Sequence, residues 1–197
     1  EACREASKQE IIRRYFDALN ALAKGSTSEK EAQKIELLMN MAGITVTDRK
    51  VVIKALERAK ETDGPAAALE LRDGRIITGK TTNLLGASAA LLLNVLKVLA
   101  GIDHETHIIS PESIEPIQKL KVDYLKSKNP RLHTDEVLIA LSASAATNPQ
   151  ARLALSQLPE LAGCQAHTSV MLSDVDIKIF KKLEVQLTSE AVYEHAL

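Results

Sequence analysis

One segment constrains the architecture of this chain more than any other, namely Ala68-Leu69-Glu70-Leu71-Arg72-Asp73-Gly74-Arg75-Ile76-Ile77-Thr78-Gly79-Lys80-Thr81. Its Asp73-Gly74 pair is the strongest short-range signal for a β-hairpin, because Gly adopts the positive φ angles that tight turns need. The residues after the turn are largely β-branched and apolar, which favours a strand. We therefore predict two antiparallel strands, roughly Ala67 to Leu71 and Arg75 to Thr78.

The segment from Gly74 to Thr81 also matches G-x-x-x-x-G-K-[ST], the phosphate-binding P-loop. A working P-loop follows a strand, and it is flexible enough for its N–H groups to surround a phosphate. Here, Arg75 to Thr78 favour a strand where that flexible loop should be. We therefore disfavour nucleotide binding through Gly74–Thr81 and keep it as an alternative.

The composition is that of a globular protein and excludes several function classes. The chain has 197 residues, of which 45% are hydrophobic and 26% charged, close to the average for soluble domains. A formal net charge of -1 and an aromatic content of 3% offer little to nucleic acid, which we do not expect as a partner. The apolar run from Leu84 to Leu99 is interrupted by Asn94 and Lys97, so it predicts a buried helix and no membrane partner.

Two distant cysteines, Cys3 and Cys164, predict a reducing environment. No apolar signal-peptide segment stands near the start, so we expect a cytoplasmic protein with free thiols. The chain opens on Glu1 within a helical pattern, and we therefore expect a fragment or a processed product.

Periodicity and capping signals predict the remaining elements. Before the hairpin we expect three helices, the first behind a capping box at Ser7 to Glu10 and the third ending at Asp63-Gly64-Pro65. After it, the patterns predict a long helix from Thr82 or Asn83 to Gly101, a strand at 106–110 and a helix at 111–126. A helix at 137–146, capped by residues 134–136, and a helix at 150–158 follow, and then a strand at 166–172, a helix at 173–183 and a strand at 185–188.

This element order predicts an α/β fold. We expect a layered domain in which helices cover a small mixed sheet, consisting of an edge hairpin and about three further strands. A helical segment, residues 1–63, precedes the α/β domain, residues 64–197, and the two form one compact unit.

Candidate ligand-binding residues are Lys80, Thr81, Thr82 and Asn83. They stand where the hairpin leads into the long helix, and free N–H groups at a helix N-terminus attract carboxylate or phosphate. The alternative is that Thr81, Thr82 and Asn83 only cap the helix, while Lys80 is solvated.

Candidate catalytic residues are His133 with Asp135, and Cys164 with His167. His133 is a possible base beside a helix start, although a helix cap and its dipole also explain Asp135. His167 lowers the pKa of the Cys164 thiol if the two side chains meet, which the sequence alone does not establish. A single Cys-x-x-His pair lacks the second ligand pair of a zinc site, so we expect no metal.

Four stretches of the chain resemble one family throughout. They are residues 40–52 (NMAGITVTDRKVV), 73–81 (DGRIITGKT), 128–137 (KNPRLHTDEV) and 163–167 (GCQAH). The likeness covers residues 9 to about 190 and identifies the chain as similar to the C-terminal part of the bacterial proteins grouped as domain of unknown function 1846. The resemblance implies a bacterial cytoplasmic protein without an established activity, whose members carry a preceding α/β domain.

Two classes of function follow from these residues. The first is an enzyme, or half of one, that binds a small polar or anionic ligand in a site completed by the N-terminal domain or by another subunit. The second is a structural or oligomerisation domain with no ligand, and neither class identifies a cofactor. Assembly is expected because the first helix carries a wide apolar stripe, formed by Ile11, Ile12, Tyr15, Phe16, Leu19 and Leu22. The alternative is that this stripe folds back on the sheet of the same domain and the protein stays monomeric.

Overall fold

A four-stranded mixed sheet lies between two helical layers in the computed structural model, which describes residues 2–194. Its strands lie in the order β2-β1-β3-β4, where β1 pairs antiparallel with β2 and β3, and β3 pairs parallel with β4. They are β1 (Ala66–Glu70), β2 (Ile76–Lys80), β3 (Gln165–Thr168) and β4 (Gln186–Ser189). The prediction of an α/β fold with a mixed sheet and an edge hairpin is confirmed, with two further strands in place of three.

Helices cover both faces of this sheet. They are α1 (Ala2–Ala23), α2 (Glu29–Ala42), α3 (Lys50–Thr62), α4 (Ala87–Ala100), α5 (Pro111–Lys119), α6 (Thr134–Ser144), α7 (Pro149–Leu155) and α8 (Asp174–Lys182). The largest apolar core joins Leu69 of β1 to Leu91 of α4, whereas Ala68 contacts Ala55 of α3 on the opposite face. Within residues 2–194, no helix is both long enough and apolar enough to cross a membrane.

The two glycines of the Gly74–Thr81 motif have structural roles in the hairpin. Gly74 has a φ of 84° in the turn, where the Leu71 N–H donates to the Arg75 carbonyl at 2.8 Å. Gly79 lies directly under α4, and a Cβ at this position would approach the backbone nitrogen of Leu91 to 2.3 Å. Gly74 therefore permits the left-handed turn, and Gly79 permits the close approach of helix and strand.

The N-terminal helices are present, but the first begins earlier than predicted. α1 starts at Ala2, and the expected capping box at Ser7 is wrong because the Ser7 hydroxyl donates to the Cys3 carbonyl at 2.9 Å within the helix. α2 ends at Ala42, and Gly43 follows it as the C-cap with a φ of 64°. A short 3-10 turn, Val46–Asp48, precedes α3.

The start of α4 is the main error in the predicted helices. α4 begins at Ala87 after Gly86, and neither Thr82 nor Asn83 caps it. The Thr82 hydroxyl instead accepts hydrogen bonds from the N–H groups of Leu84 (3.2 Å) and Leu85 (3.0 Å). Leu85 also forms an isolated parallel bridge with Leu132, and this distant pairing keeps the chain extended.

The strand predicted at 106–110 is not formed. Ile108 and Ile109 are buried in the core that contains α4, but the described residues around them form no strand. Their apolar, β-branched side chains predicted a strand, although burial against a helix satisfies the same side chains. β3 is also shorter than the predicted 166–172.

The apolar stripe of α1 is covered within the chain. Ile12 and Phe16 are 0% and 2% exposed, and they share a core cluster with Met39, Ile44 and Val52. The Phe16 ring also lies 4.8 Å from the His167 ring, centroid to centroid. The stripe therefore packs within the chain, which is the alternative to docking on a partner, and oligomerisation stays a prediction.

Candidate functional site

A cleft of about 480 Å³ lies beside the outer edge of β2 and along one face of α4. This volume falls in the range of roughly 300–1,000 Å³ that is usual for small-ligand sites. Thr78, Gly79 and Lys80 form the strand side, and Asn94 and Lys97 belong to the helix side. We call it the β2–α4 cleft.

Side chains of α4 line the cleft because they share one face of the helix. Ala90, Leu93, Asn94 and Lys97 follow the i, i+3, i+4, i+7 spacing, and all four line the cleft. The Asn94 side-chain amide donates to the Thr78 carbonyl at 2.9 Å and so fixes the helix beside the strand edge. The close contact at Gly79 therefore also determines the width of the cleft.

Three basic side chains line the cleft, namely Arg58, Lys80 and Lys97, and no Asp or Glu lines it. Lys80 is exposed at the mouth of the cleft, and its ammonium forms no ion pair among residues 2–194. Arg58 contacts Glu61 at 3.2 Å through one terminal nitrogen, but its Nε is buried with no partner in the described chain. Lys97 donates to the His104 carbonyl at 2.7 Å, and burial lowers the pKa of Lys97. No carboxylate that lines the cleft neutralises these charges, although Glu61 outside it pairs with Arg58.

The remaining lining combines an apolar floor with two histidines. His104 and His107 lie on the exposed segment between α4 and α5. The apolar side chains come from three separate parts of the chain and are Leu84, Leu85, Leu93, Ile108, Ile109 and Ile114. A floor of this kind favours a ligand that has an apolar part as well as a charge.

Three of the four ligand-binding candidates, Lys80, Thr82 and Asn83, line this cleft. Thr81 does not, and its hydroxyl is buried without a partner in the part of the chain that the structure describes. The expectation that free N–H groups of a helix N-terminus attract the ligand here was wrong, because α4 begins at Ala87 and the Leu84 N–H already donates to the Thr82 hydroxyl. The binding properties of the cleft thus come from its basic side chains and from the edge of β2, and not from a helix N-terminus.

His133 lies away from the cleft, at the junction of α6 and α8. Its Nδ1 is 3.1 Å from Oδ2 of Asp176, and this hydrogen bond raises the pKa of His133 although burial opposes it. Burial opposes ionisation of Asp176, but hydrogen bonds from His133, Thr134 and Ser173 outweigh it and lower the pKa of the carboxyl. Asp135 is not the partner of His133, and its Oδ1 is buried without a partner among the described residues.

Asp176 was missed at the sequence level. The Thr134 N–H and hydroxyl donate to its Oδ1 at 2.9 and 2.7 Å. The only sequence signal is the spacing from Ser173 to Asp176, which marks the start of α8, where the Ser173 hydroxyl accepts from the Asp176 N–H at 3.2 Å. This signal predicts a cap but does not identify His133 as a neighbour.

Cys164 and His167 do not form a catalytic pair in this structure. Cys164 belongs to the core that contains α4, its Sγ lies 3.6 Å from the Glu160 carbonyl, and burial raises the pKa of its thiol. His167 points to the other face of the sheet, where its ring nitrogens lie 2.8 Å from the Thr188 hydroxyl and 3.1 Å from a Glu190 carboxylate oxygen. Burial lowers the pKa of His167. None of His133, Asp135, Cys164 and His167 lines the β2–α4 cleft.

A buried arginine that the sequence did not single out, Arg49, connects the helical layer to the sheet. It is 1% exposed, and burial lowers its pKa to about 10. Its guanidinium donates to five oxygens, those of the Gln9, Gln165 and Thr188 side chains and of the Ala166 and Gln186 carbonyls. With its donors used in this way, Arg49 has a structural role.

Comparison with known proteins identifies related sequences. The family model "Domain of unknown function DUF1846, C-terminal" matches residues 47–197, and "Domain of unknown function DUF1846, N-terminal" matches residues 1–43. A UPF0371 protein of Corynebacterium aurimucosum is 58% identical over 193 residues, which are 98% of this chain and 39% of that protein. A UPF0371 protein of Streptococcus pyogenes serotype M5 is 48% identical over 195 residues, which are 99% of this chain and 40% of that protein. The chain thus spans about two fifths of the length of these curated relatives.

Proposed function

This chain belongs to the DUF1846 family, whose description gives no reaction, and we propose that it binds a small anionic ligand in the β2–α4 cleft. The observation that carries the proposal is the set of cations Arg58, Lys80 and Lys97 in a cleft without acidic side chains. An anion there would form charge-assisted hydrogen bonds, which are roughly twice as strong as neutral ones. The partly apolar surroundings strengthen such an attraction relative to bulk water.

The proposal includes completion of the site by a further part of the protein. The relatives are more than twice as long as this chain, and the open side of the cleft leaves space for another domain or subunit. We place this binding in the bacterial cytoplasm, which the bacterial relatives and the free thiols Cys3 and Cys164 support.

The test is a titration of the ¹⁵N-labelled protein with inorganic phosphate, citrate, octanoate and phenyl phosphate. At least one anion should shift the amide resonances of Thr78 and Lys80 in a salt-dependent manner. Lys80→Met should weaken that binding about tenfold, since it removes one charge-assisted contact. Lys178→Met is the matched control, because Lys178 is an exposed lysine outside the cleft. If no anion shifts these resonances, or if the two variants behave alike, the proposal is wrong.

Nucleotide binding through Gly74–Thr81 remains the disfavoured alternative. Ile77 and Gly79 pair with Leu69 and Ala67 of β1, so their N–H groups are not free to surround a phosphate. ATP with Mg²⁺ belongs in the same titration. Micromolar, Mg²⁺-dependent ATP binding that is lost in Lys80→Ala would favour the nucleotide alternative.

A second candidate function is self-association, and the exposed apolar face of α2 favours it. Leu37, Leu38 and Met41 are 60%, 57% and 77% exposed and lie on adjacent positions of the helix surface. We propose that this face contacts the same face of a second copy, because a two-fold interface needs a self-complementary patch. Light scattering coupled to size exclusion should show a dimer that Leu38→Glu dissociates. A monomer at every concentration would contradict this proposal.

A further inference from the structure

We propose that the ligand of the β2–α4 cleft is an extended peptide with a free C-terminal carboxylate, which adds to the outer edge of β2 as a fifth strand. The proposal rests on the anion-binding function above and gives that ligand a chemical class. Strand addition of this kind obtains affinity from main-chain hydrogen bonds and selectivity from the pockets beside the strand.

The register of the hairpin shows which main-chain groups face the cleft. The Thr81 N–H donates to the Pro65 carbonyl and the Leu71 N–H to the Arg75 carbonyl, so these are hydrogen-bonded antiparallel pairs. Alternate pairs repeat this pattern, and the next ones inward are Gly79 with Ala67 and Ile77 with Leu69. The N–H and C=O groups of Thr78 and Lys80 therefore point away from β1.

Most of these outward groups are free. The Thr78 carbonyl accepts from Asn94, which confirms its direction. The N–H groups of Thr78 and Lys80 donate to no side chain or loop carbonyl within residues 2–194, and the Lys80 carbonyl accepts no such bond. The opposite edge of the sheet differs, because Asn20 donates to the Ser189 carbonyl at 2.8 Å and accepts from the Ser189 hydroxyl at 3.1 Å. β4 is thus capped at its end, whereas β2 presents donors and an acceptor to a cleft.

The dimensions of the edge limit the length of the peptide. The strand side of the cleft is formed by Thr78, Gly79 and Lys80. At about 3.3 Å per residue, this edge spans roughly 10 Å and accommodates about three residues of an added strand.

The two sides of the cleft suit alternate side chains of such a strand. Successive residues of a strand point to opposite faces, and α4 and α3 cover opposite faces of this sheet. A side chain directed toward α4 meets Leu93, Ile108 and Ile114, while the other direction leads to Arg58. The exposed Lys80 ammonium and the Arg58 guanidinium, which both line the cleft, then offer the cationic contacts for the terminal carboxylate.

The probe is a pool of N-acetylated tripeptides with varied apolar residues and a free C-terminus. The matched pool carries C-terminal amides, and a third pool is N-methylated along its main chain. Binding is followed through the ¹⁵N amide shifts of Thr78 and Lys80, and bound peptides are identified by mass spectrometry. We expect the free-acid pool to bind, and both amidation and N-methylation to weaken binding at least about tenfold.

A pair of protein variants tests the strand edge directly. Thr78→Pro removes an outward N–H without touching the ladder to β1, a position where edge strands tolerate Pro. Thr78→Val is its control, because it keeps the N–H and changes only the side chain. Peptide binding should be lost in the first variant and retained in the second, with circular dichroism to establish that both are folded. If Thr78→Pro does not fold, the N-methylated pool still tests the added strand through the reciprocal hydrogen bonds, in which peptide N–H groups donate to the carbonyls of the strand edge.

The outcomes separate this inference from the function on which it rests. Binding of octanoate or phenyl phosphate without binding of the peptide pool would overturn the peptide class and leave anion binding intact. If neither class binds, both proposals are wrong. Equal binding of free acids and amides would overturn the carboxylate contact. Concentration-dependent shifts of Thr78 and Lys80 without peptide would show that a second copy occupies this edge, which also refutes the inference.

Discussion

Gly79→Ala tests whether the second glycine of the Gly74–Thr81 motif serves packing or phosphate binding. An added Cβ would lie 2.3 Å from the Leu91 nitrogen, 2.5 Å from its Cα and 2.8 Å from its Cβ. Two of these are backbone atoms in the middle of α4, so no side-chain rotation relieves the contact. α4 must retreat by about 1 Å to restore an ordinary van der Waals distance, and a gap of that size forfeits a quarter to a half of the local contact energy.

The loss of stability expected for Gly79→Ala depends on how much of α4 is buried. Nine of its 14 residues are buried, from Ala87 to Leu96. Overpacking a core usually costs about 1–3 kcal/mol, and the removal of Gly from a strand returns at most about 1 kcal/mol. Because the clash involves backbone on a central helix, we expect a loss near the upper end, about 2–3 kcal/mol, which is a large part of the usual stability of 5–15 kcal/mol for a domain.

Urea unfolding followed by circular dichroism measures this loss. Gly64→Ala is the matched control, because its nearest new contact is Thr62 O at 3.8 Å and its φ is not positive. We expect the control to change the free energy of unfolding by less than about 0.5 kcal/mol. If Gly79→Ala is as stable as the parent, the close approach of α4 to β2 is not what requires this glycine, and the packing argument is refuted.

Three further predictions concern other parts of the structure. Arg49→Lys keeps the charge but has three N–H donors for five acceptors, so urea unfolding should show that the free energy of unfolding falls by about 2 kcal/mol. Unchanged stability would contradict the structural role of Arg49. Asp176 raises the pKa of His133 above its usual 6.5, so the stability from this pair is complete below pH 6.5 and is lost as the pH rises through the raised value. Relative to His133→Gln, the parent should therefore lose stability in urea unfolding over that window, and parallel pH curves would refute the pairing. Iodoacetamide should label exposed Cys3 and spare buried Cys164 in the folded protein, as read by mass spectrometry, because burial raises the pKa of the Cys164 thiol; equal labelling would contradict its burial.

Local sequence signals were sufficient to predict the ends of elements that a Gly or Pro residue marks. The Asp73-Gly74 turn, the Gly101 helix end and the Pro111 helix start all lie where the sequence predicted them. Each depends on the φ preference of one residue, which does not change when the rest of the chain folds around it.

Local signals failed where a distant partner decided the conformation. The segment after Thr82 has capping residues, yet pairing of Leu85 with Leu132 keeps it extended. Ile108 and Ile109 have strand propensity, yet they pack against the α4 core without forming a strand. In both cases a long-range contact outweighed a local preference of a few tenths to about 1 kcal/mol.

Some residues of the candidate site were likewise predictable from local sequence, and others were not. Lys80, Thr82 and Asn83 were found from the sequence because they follow the hairpin directly and line the cleft beside it. Arg58, Lys97 and the partnership of His133 with Asp176 were not found, because their neighbours are far apart in the chain.

The fold class, the hairpin and the apolar helix beside it are predictable from the residues alone, since turn chemistry and hydrophobic periodicity are properties of short segments. The face that each side chain occupies is visible only in the folded chain. Cys164, just before β3, lies in the core that contains α4, whereas His167 of β3 faces the other side of the sheet. The contact of α4 with Gly79 places this helix beside β2, and three cations line the cleft along the two elements. Such placement depends on the packing of whole elements against one another, and no local pattern of residues encodes it.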